Sequence, residues 1–161
     1  MIDITRLSSR YKIRTLTDSD VDVILDLCQH NTLFYEYTEA RPAIEEIRND
    51  MRITPPGITL SDKYFFGFFE GQELVAVMDL IDGYPKPESA YIGFFMMNRE
   101  YQGKQIGSAI VGETVDYLVF AERMISIHKK PINMGNLLSP KSISGKIDAG
   151  FFDSGRQLSC I

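Results

Sequence analysis

Lys104 lies between Gly103 and Gln105, with Gly107 and Ser108 close behind, where a polar turn runs into a helix-forming stretch. A helix opens with amide N–H groups that no helical carbonyl can accept, and its dipole concentrates partial positive charge at that end. A phosphate placed there collects several charge-assisted hydrogen bonds from the backbone. Glycine lets the main chain approach the ligand and adopts dihedrals that other residues resist. Gln102 to Ser108 contain these ingredients, and Lys104 adds a mobile cation. Two common phosphate motifs do not fit. A P-loop ends in Gly-Lys-Ser/Thr, whereas Gly107 is followed by Ser108 and Ala109, and the dinucleotide fingerprint G-x-G-x-x-G is absent. Glycines at a strand-to-helix turn also serve the turn alone, so spacing by itself leaves both readings open.

The surrounding elements must position this turn. Ser89 to Asn98 is apolar almost throughout, as expected of a strand covered on both faces. From Lys104 to about Phe120, Ile106, Ala109, Ile110, Val111, Val115, Leu118 and Val119 recur at helical spacing. Upstream, 11–16 alternates as a first strand. A helix follows on Val21, Ile24, Leu27 and Cys28, with Thr17 or Asp18 to cap it. A second helix carries Ile44, Ile47 and Met51 and stops at Pro55-Pro56-Gly57. Two strand-like runs flank Glu70-Gly71-Gln72, which reads as a hairpin turn, and the prolines of "GYPKPE" make a loop. Residues 123–129 suit another strand. "PINMGNLLSPKSISGKIDAG" holds a weak helix pattern, and "FFDSGRQLSC" suits a closing strand or hairpin edge. The order β-α-α-β-β-β-α-β predicts an α/β sheet of mixed direction.

The whole chain, 1–161, is expected to form one domain, long enough to enclose a core without disulfides or a structural metal. Cys28 and Cys160 stand at no metal-ligand spacing, so no metal is expected and a reducing, cytoplasmic setting is the default. The first residues lack an apolar signal region, and no segment approaches the roughly 18 apolar residues of a membrane span. Neither export nor a membrane partner is expected. A formal charge of −5 argues against a nucleic-acid partner and tolerates a cationic substrate. A monomer or homodimer is expected.

"FFMMNREYQGKQIGSAIV", Phe94 to Val111, resembles the acyl-CoA-binding segment of the GNAT superfamily of N-acetyltransferases, whose signature is Gln/Arg-x-x-Gly-x-Gly/Ala. Gln102 fits the first position and Gly107 the last, while Gln105 stands where the family usually has its first motif glycine. "YKIRTLTDSDVDVILDL" is similar to the family's first strand and helix, and the element order matches to about Lys129. The resemblance implies a mixed, mostly antiparallel sheet with helices on both faces, in which the fourth and fifth strands splay apart. Pantetheine would lie in that V, bonding to exposed backbone like an added strand. Carried over by position, Phe95, Met96 and Met97 would supply those groups. Gln102, Gly103, Lys104, Gln105, Ile106, Gly107 and Ser108 would surround the pyrophosphate. Asn136 would contact the cofactor, although Asn133 fits the spacing about as well.

The implied reaction moves acetyl from acetyl-CoA to a primary amine of a small molecule or protein. It needs a neutral amine, a proton acceptor and a donor for the departing thiolate. Tyr91 matches the position of a glutamate in the histone-modifying branch, and a phenol with reference pKa near 10 is a poor base unless strongly perturbed. Glu88 and Asp79 are nearby carboxylates that could act through water. The family's tyrosine acid has no carrier, because no tyrosine follows Tyr117. His30 and His128 belong to no triad pattern. Phe34 to Tyr37, with Glu36 and Glu39, lies where the family shapes its acceptor pocket. No cysteine lies near the proposed cleft mouth, so direct attack in a ternary complex is expected. The alternative is a CoA-binding or regulatory module of the same fold without turnover.

Overall fold

The computed structural model describes residues 1–31, 42–121 and 123–127. The expectations for Phe34 to Tyr37, Glu36, Glu39, His128, Asn133, Asn136 and the closing strand fall outside those residues. The described chain runs β1 (Lys12–Thr15), α1 (Val21–Gln29), α2 (Ile44–Arg52), β2 (Lys63–Glu70), β3 (Glu73–Asp82), β4 (Ser89–Met97), α3 (Ile106–Phe120) and β5 (Met124–Ile127). Short 3-10 turns sit at Ile4–Arg6, Asp18–Asp20, Leu60–Asp62 and Arg99–Tyr101. This is the predicted order. The strands form one sheet in sequence order, antiparallel from β1 to β4, with β5 parallel to β4.

Helices cover both faces. Ile110, Val111, Val115 and Leu118 of α3 pack with Phe66, Phe68, Met78, Leu80 and Ile92 on one side. Val21, Ile24, Leu27 and Cys28 of α1 and Ile47 of α2 pack with Phe65, Phe69, Val77 and Met96 on the other. Burying each such large apolar side chain contributes about 1.5–3 kcal/mol, so this second core, not helix propensity, holds α1 and α2, each of 9 residues. The entry to α1 is set locally. Asp20 accepts from the Thr17 N–H at 2.8 Å and from Arg14 Nη1 and Nη2 at 3.0 and 2.7 Å, which ties the helix start to β1.

Two strands carry an extra residue. Phe69 pairs with Leu74 but Phe68 with Ala76, so Val75 is bulged in β3. Asp79 pairs with Phe94 but Leu80 with Ile92, so Gly93 is bulged in β4. A bulge bends its strand and shifts every later side chain by one position of register.

Candidate active site

Pairing of β4 with β5 is described from Ser89–Met124 to Ile92–Ile127, the last described residue of β5, and the bulge at Gly93 follows directly on β4. The Asn98 N–H donates to the Val75 carbonyl at 2.8 Å, and by the two-residue period Phe94 and Met96 also direct their backbone groups to β3. Phe95 and Met97 therefore turn theirs away from β3, to the β5 side. Of the three residues expected to offer backbone to pantetheine, Met96 instead spends its main chain on β3. Its side chain is buried in the core beside α1 and α2.

The end of β4 leads straight to the glycine turn. Gln102, Gly103, Lys104 and Gln105 are exposed, Ile106 and Ser108 are half-buried, and Gly107 is buried under the first turn of α3. The helix starts at Ile106, two residues later than the periodicity suggested, because Gln105 adopts a left-handed conformation with φ 61° and ψ 7°. It acts as the N-cap residue but makes no side-chain capping bond, and no acidic residue stands in the first turn. The leading amides are thus left to an outside acceptor. A β-carbon on Gly103, at φ 73°, would meet nothing within 4 Å. Lys104 Nζ donates to the Glu100 carbonyl at 2.8 Å and lies 5.9 Å from the Tyr101 ring centroid, exposed and adjacent to the turn. The exposed, uncapped turn leaves room for an anion such as a diphosphate.

A residue missed in the sequence locks the corner. Asn31, at the end of α1, donates from Nδ2 to the Leu27 carbonyl at 2.7 Å and to the Met97 carbonyl at 3.1 Å. Gln102 Nε2 donates to the same Met97 carbonyl at 3.1 Å. That carbonyl is therefore taken, which leaves Phe95 as the other residue past the bulge with backbone turned away from β3. A contact 66 residues apart in sequence has no local signal.

On the α1/α2 face, Asp79, Tyr91 and Gly93 come together. A β-carbon on Gly93 would lie 3.2 Å from Asp79 Oδ2 and 3.2 Å from Tyr91 Cε1, so the glycine leaves the room those groups use. Lys63 Nζ binds Asp79 Oδ2 at 2.7 Å, with side chains only 2% and 14% exposed. Burial pushes the Asp79 carboxyl above its usual range, and the Lys63 charge and hydrogen bond pull it back. Asp79 Oδ1 is buried without a hydrogen-bond partner among the described residues. The Tyr91 phenol is pushed up to about 12, by burial first and then by Tyr84 and Asp79. Tyr84 meets the Tyr91 ring edge-on at 5.3 Å. A phenol shifted in that direction is a donor at neutral pH, not a base. Glu88 is exposed just ahead of β4, at the opposite end of the strand from the glycine turn. Among the described residues no three His, Cys, Asp or Glu side chains converge as for a metal, and no helix is long and apolar enough to cross a membrane.

The fold is a mixed sheet, antiparallel from β1 to β4 with β5 parallel to β4, whose bulged fourth strand feeds an uncapped helix start. The acetyltransferase (GNAT) family model matches residues 24–135, and the chain belongs to that family. No curated protein matches the sequence. Solved structures share the fold. A transcriptional regulator from Bacillus halodurans C-125 superposes with a TM-score of 0.61 at 14% identity, over 91% of this chain and 99% of the other. An aminoglycoside acetyltransferase from an uncultured soil metagenomic sample, in complex with sisomicin, gives 0.55 at 14% identity over 92% and 96%. The PaiA N-acetyltransferase of Thermoplasma acidophilum, in complex with coenzyme A, gives 0.51 at 17% identity over 78% and 82%.

Proposed function

We propose that this protein transfers acetyl from acetyl-CoA to a primary amine by direct attack in a ternary complex. The observation that carries the reading is the uncapped start of α3, directly after a bulged β4 whose Phe95 turns its backbone away from β3. Acetyl-CoA, when bound, supplies an activated thioester. The chain's own part is to hold it. Phe95 offers backbone groups to the arm, and the N–H groups of Gly103 to Ser108, with Lys104, meet the pyrophosphate. A backbone N–H near the bulge would meet the oxyanion that develops during attack, an electrostatic contribution commonly of a few kcal/mol. Relatives of this fold act on aminoglycosides or hold coenzyme A, which supports a small amine as acceptor.

One feature favours a second reading, a CoA-binding module without turnover. Gln105 holds a left-handed φ of 61° at the position of a motif glycine. That conformation costs a non-glycine residue about 1–2 kcal/mol, comparable to one good hydrogen bond to the anion, so several such bonds still outweigh it. Calorimetry with CoA and a thiol-release assay over a panel of amines decide the matter. Amine-dependent release of free CoA supports the transferase. Binding without release supports the module, and no binding at millimolar CoA overturns both.

A further inference from the structure

We propose that Asn31 is a positioning residue that couples anion binding at the glycine turn to the last turn of α1, a role that rests on reading that turn as the CoA diphosphate site. Gln102 is the intermediary. Its backbone follows the Arg99–Tyr101 turn and leads into the glycine turn, while its side chain reaches back to α1. The donors and acceptors of the two amides close on themselves. The Met97 carbonyl can only accept, so Asn31 and Gln102 must both turn their NH2 groups toward it, at 3.1 Å each. The second Asn31 hydrogen goes to the Leu27 carbonyl at 2.7 Å, and the second Gln102 hydrogen goes to Asn31 Oδ1 at 2.5 Å. Neither amide can rotate without breaking more than one bond.

Leu27 ties this network to the helix. In a regular helix its carbonyl would accept from the Asn31 N–H, but that N–H goes to the Cys28 carbonyl at 3.0 Å and the Asn31 side chain takes Leu27 instead. The last turn of α1 therefore ends on a side chain whose orientation Gln102 fixes. The Leu27 side chain is buried with Val77 and Met96, so the same turn covers the α1/α2 face of the sheet. An anion held by the N–H groups after Gln102 restricts the backbone of the turn, and with it the Gln102 side chain. A restricted Gln102 keeps Asn31 on the Leu27 carbonyl. Such coupling is reciprocal: the factor by which the intact network raises anion affinity is the factor by which the anion favours a closed α1 end. Helix-end amides exchange with solvent by local opening, so the effect is readable at His30, whose N–H donates to Asp26, and at Asn31.

The test combines calorimetry with CoA and backbone amide exchange by NMR, on the full chain and its Asn31→Ala, Gln102→Ala and double variants. Asn31→Ala should weaken CoA binding about two- to tenfold, the effect of losing one such hydrogen bond. The double variant should bind CoA about as Gln102→Ala does, because either change already removes the link. In the native chain, saturating CoA should slow exchange at residues 30 and 31 by about two- to tenfold. The same amides should not respond in either single variant. A residue that only stabilised the fold would lower the denaturation midpoint without this ligand-dependent difference. Should Asn31→Ala fail to fold, Gln102→Ala, at an exposed side chain, carries both readouts. Native CoA affinity in Asn31→Ala, or slowing that persists in Gln102→Ala, overturns the proposal and leaves the acetyl-CoA reading intact. A native chain that does not bind CoA overturns both, so the two failures are told apart.

Discussion

Gln102 Nε2 donates to Asn31 Oδ1 at 2.5 Å, joining the glycine turn to the end of α1 across 71 residues of chain. Both amides also donate to the Met97 carbonyl, so three residues share one small network at the mouth of the cleft. Two side chains in contact within such a network couple energetically. Asn31→Ala and Gln102→Ala should each cost about 0.5–1.5 kcal/mol. The double variant should lose less than the sum, by about 0.5 kcal/mol or more. Urea denaturation of the four proteins measures the cycle, and strict additivity would contradict the network.

Gln105 carries the one left-handed non-glycine φ among the described residues. Gln105→Gly relieves strain of about 1–2 kcal/mol but adds freedom to the unfolded chain worth about 0.4–1 kcal/mol. The expected net gain in stability is about 0.5–1 kcal/mol, with CoA affinity equal or higher. Gln105→Val should move both quantities the other way, because a branched side chain tolerates that conformation least. Denaturant midpoints and calorimetry with CoA check the pair.

At Gly93 a side chain would press on the Asp79–Lys63 pair. Contacts of 3.2 Å to Asp79 Oδ2 and Tyr91 Cε1 demand a shift of a few tenths of an ångström. Gly93→Val should therefore destabilise by about 1–3 kcal/mol, the usual cost of overpacking. Transfer should fall further than stability accounts for at temperatures where the variant is fully folded. Rates normalised to folded fraction test this.

Asp20 predicts an acid sensitivity. Hydrogen bonds from Arg14, opposed by burial and assisted by Thr17, hold its carboxyl below the usual range. A depressed folded pKa means the stabilisation is full above the unfolded value near 4 and is lost as pH falls through the folded one. Asp20→Asn should lower the urea midpoint at pH 7, and the gap to the native protein should close as pH drops below about 4. A gap of equal size at both pH values would show that the Arg14 contact does not set it.

The order of elements and the glycine turn were legible in the sequence because both are local. Strand runs, the 3.6-residue stripe of α3 and the Gly71 turn, at φ 63°, each depend on residues a few positions apart. The resemblance in Phe94 to Val111 pointed to the acyl-CoA segment for the same reason. It also marked Tyr91 and Asp79, but not what surrounds them. Lys63 carried only the weak signal of a charge beside a phenylalanine-rich run, and Asn31 carried none.

What tertiary structure decided is which side chains share a face. Counting back from the hairpin turn pairs Glu70 with Glu73 and Phe69 with Leu74, and would place Tyr64 opposite Asp79. The bulge at Val75 moves the register by one, so Phe65 stands there instead and Asp79 joins the face of Lys63. A one-residue slip turns a strand's side chains over, and nothing in the local pattern of β2 or β3 specifies it. Packing of α1 and α2 on one side and α3 on the other selected that register, and with it the buried ion pair beside the Gly93 bulge.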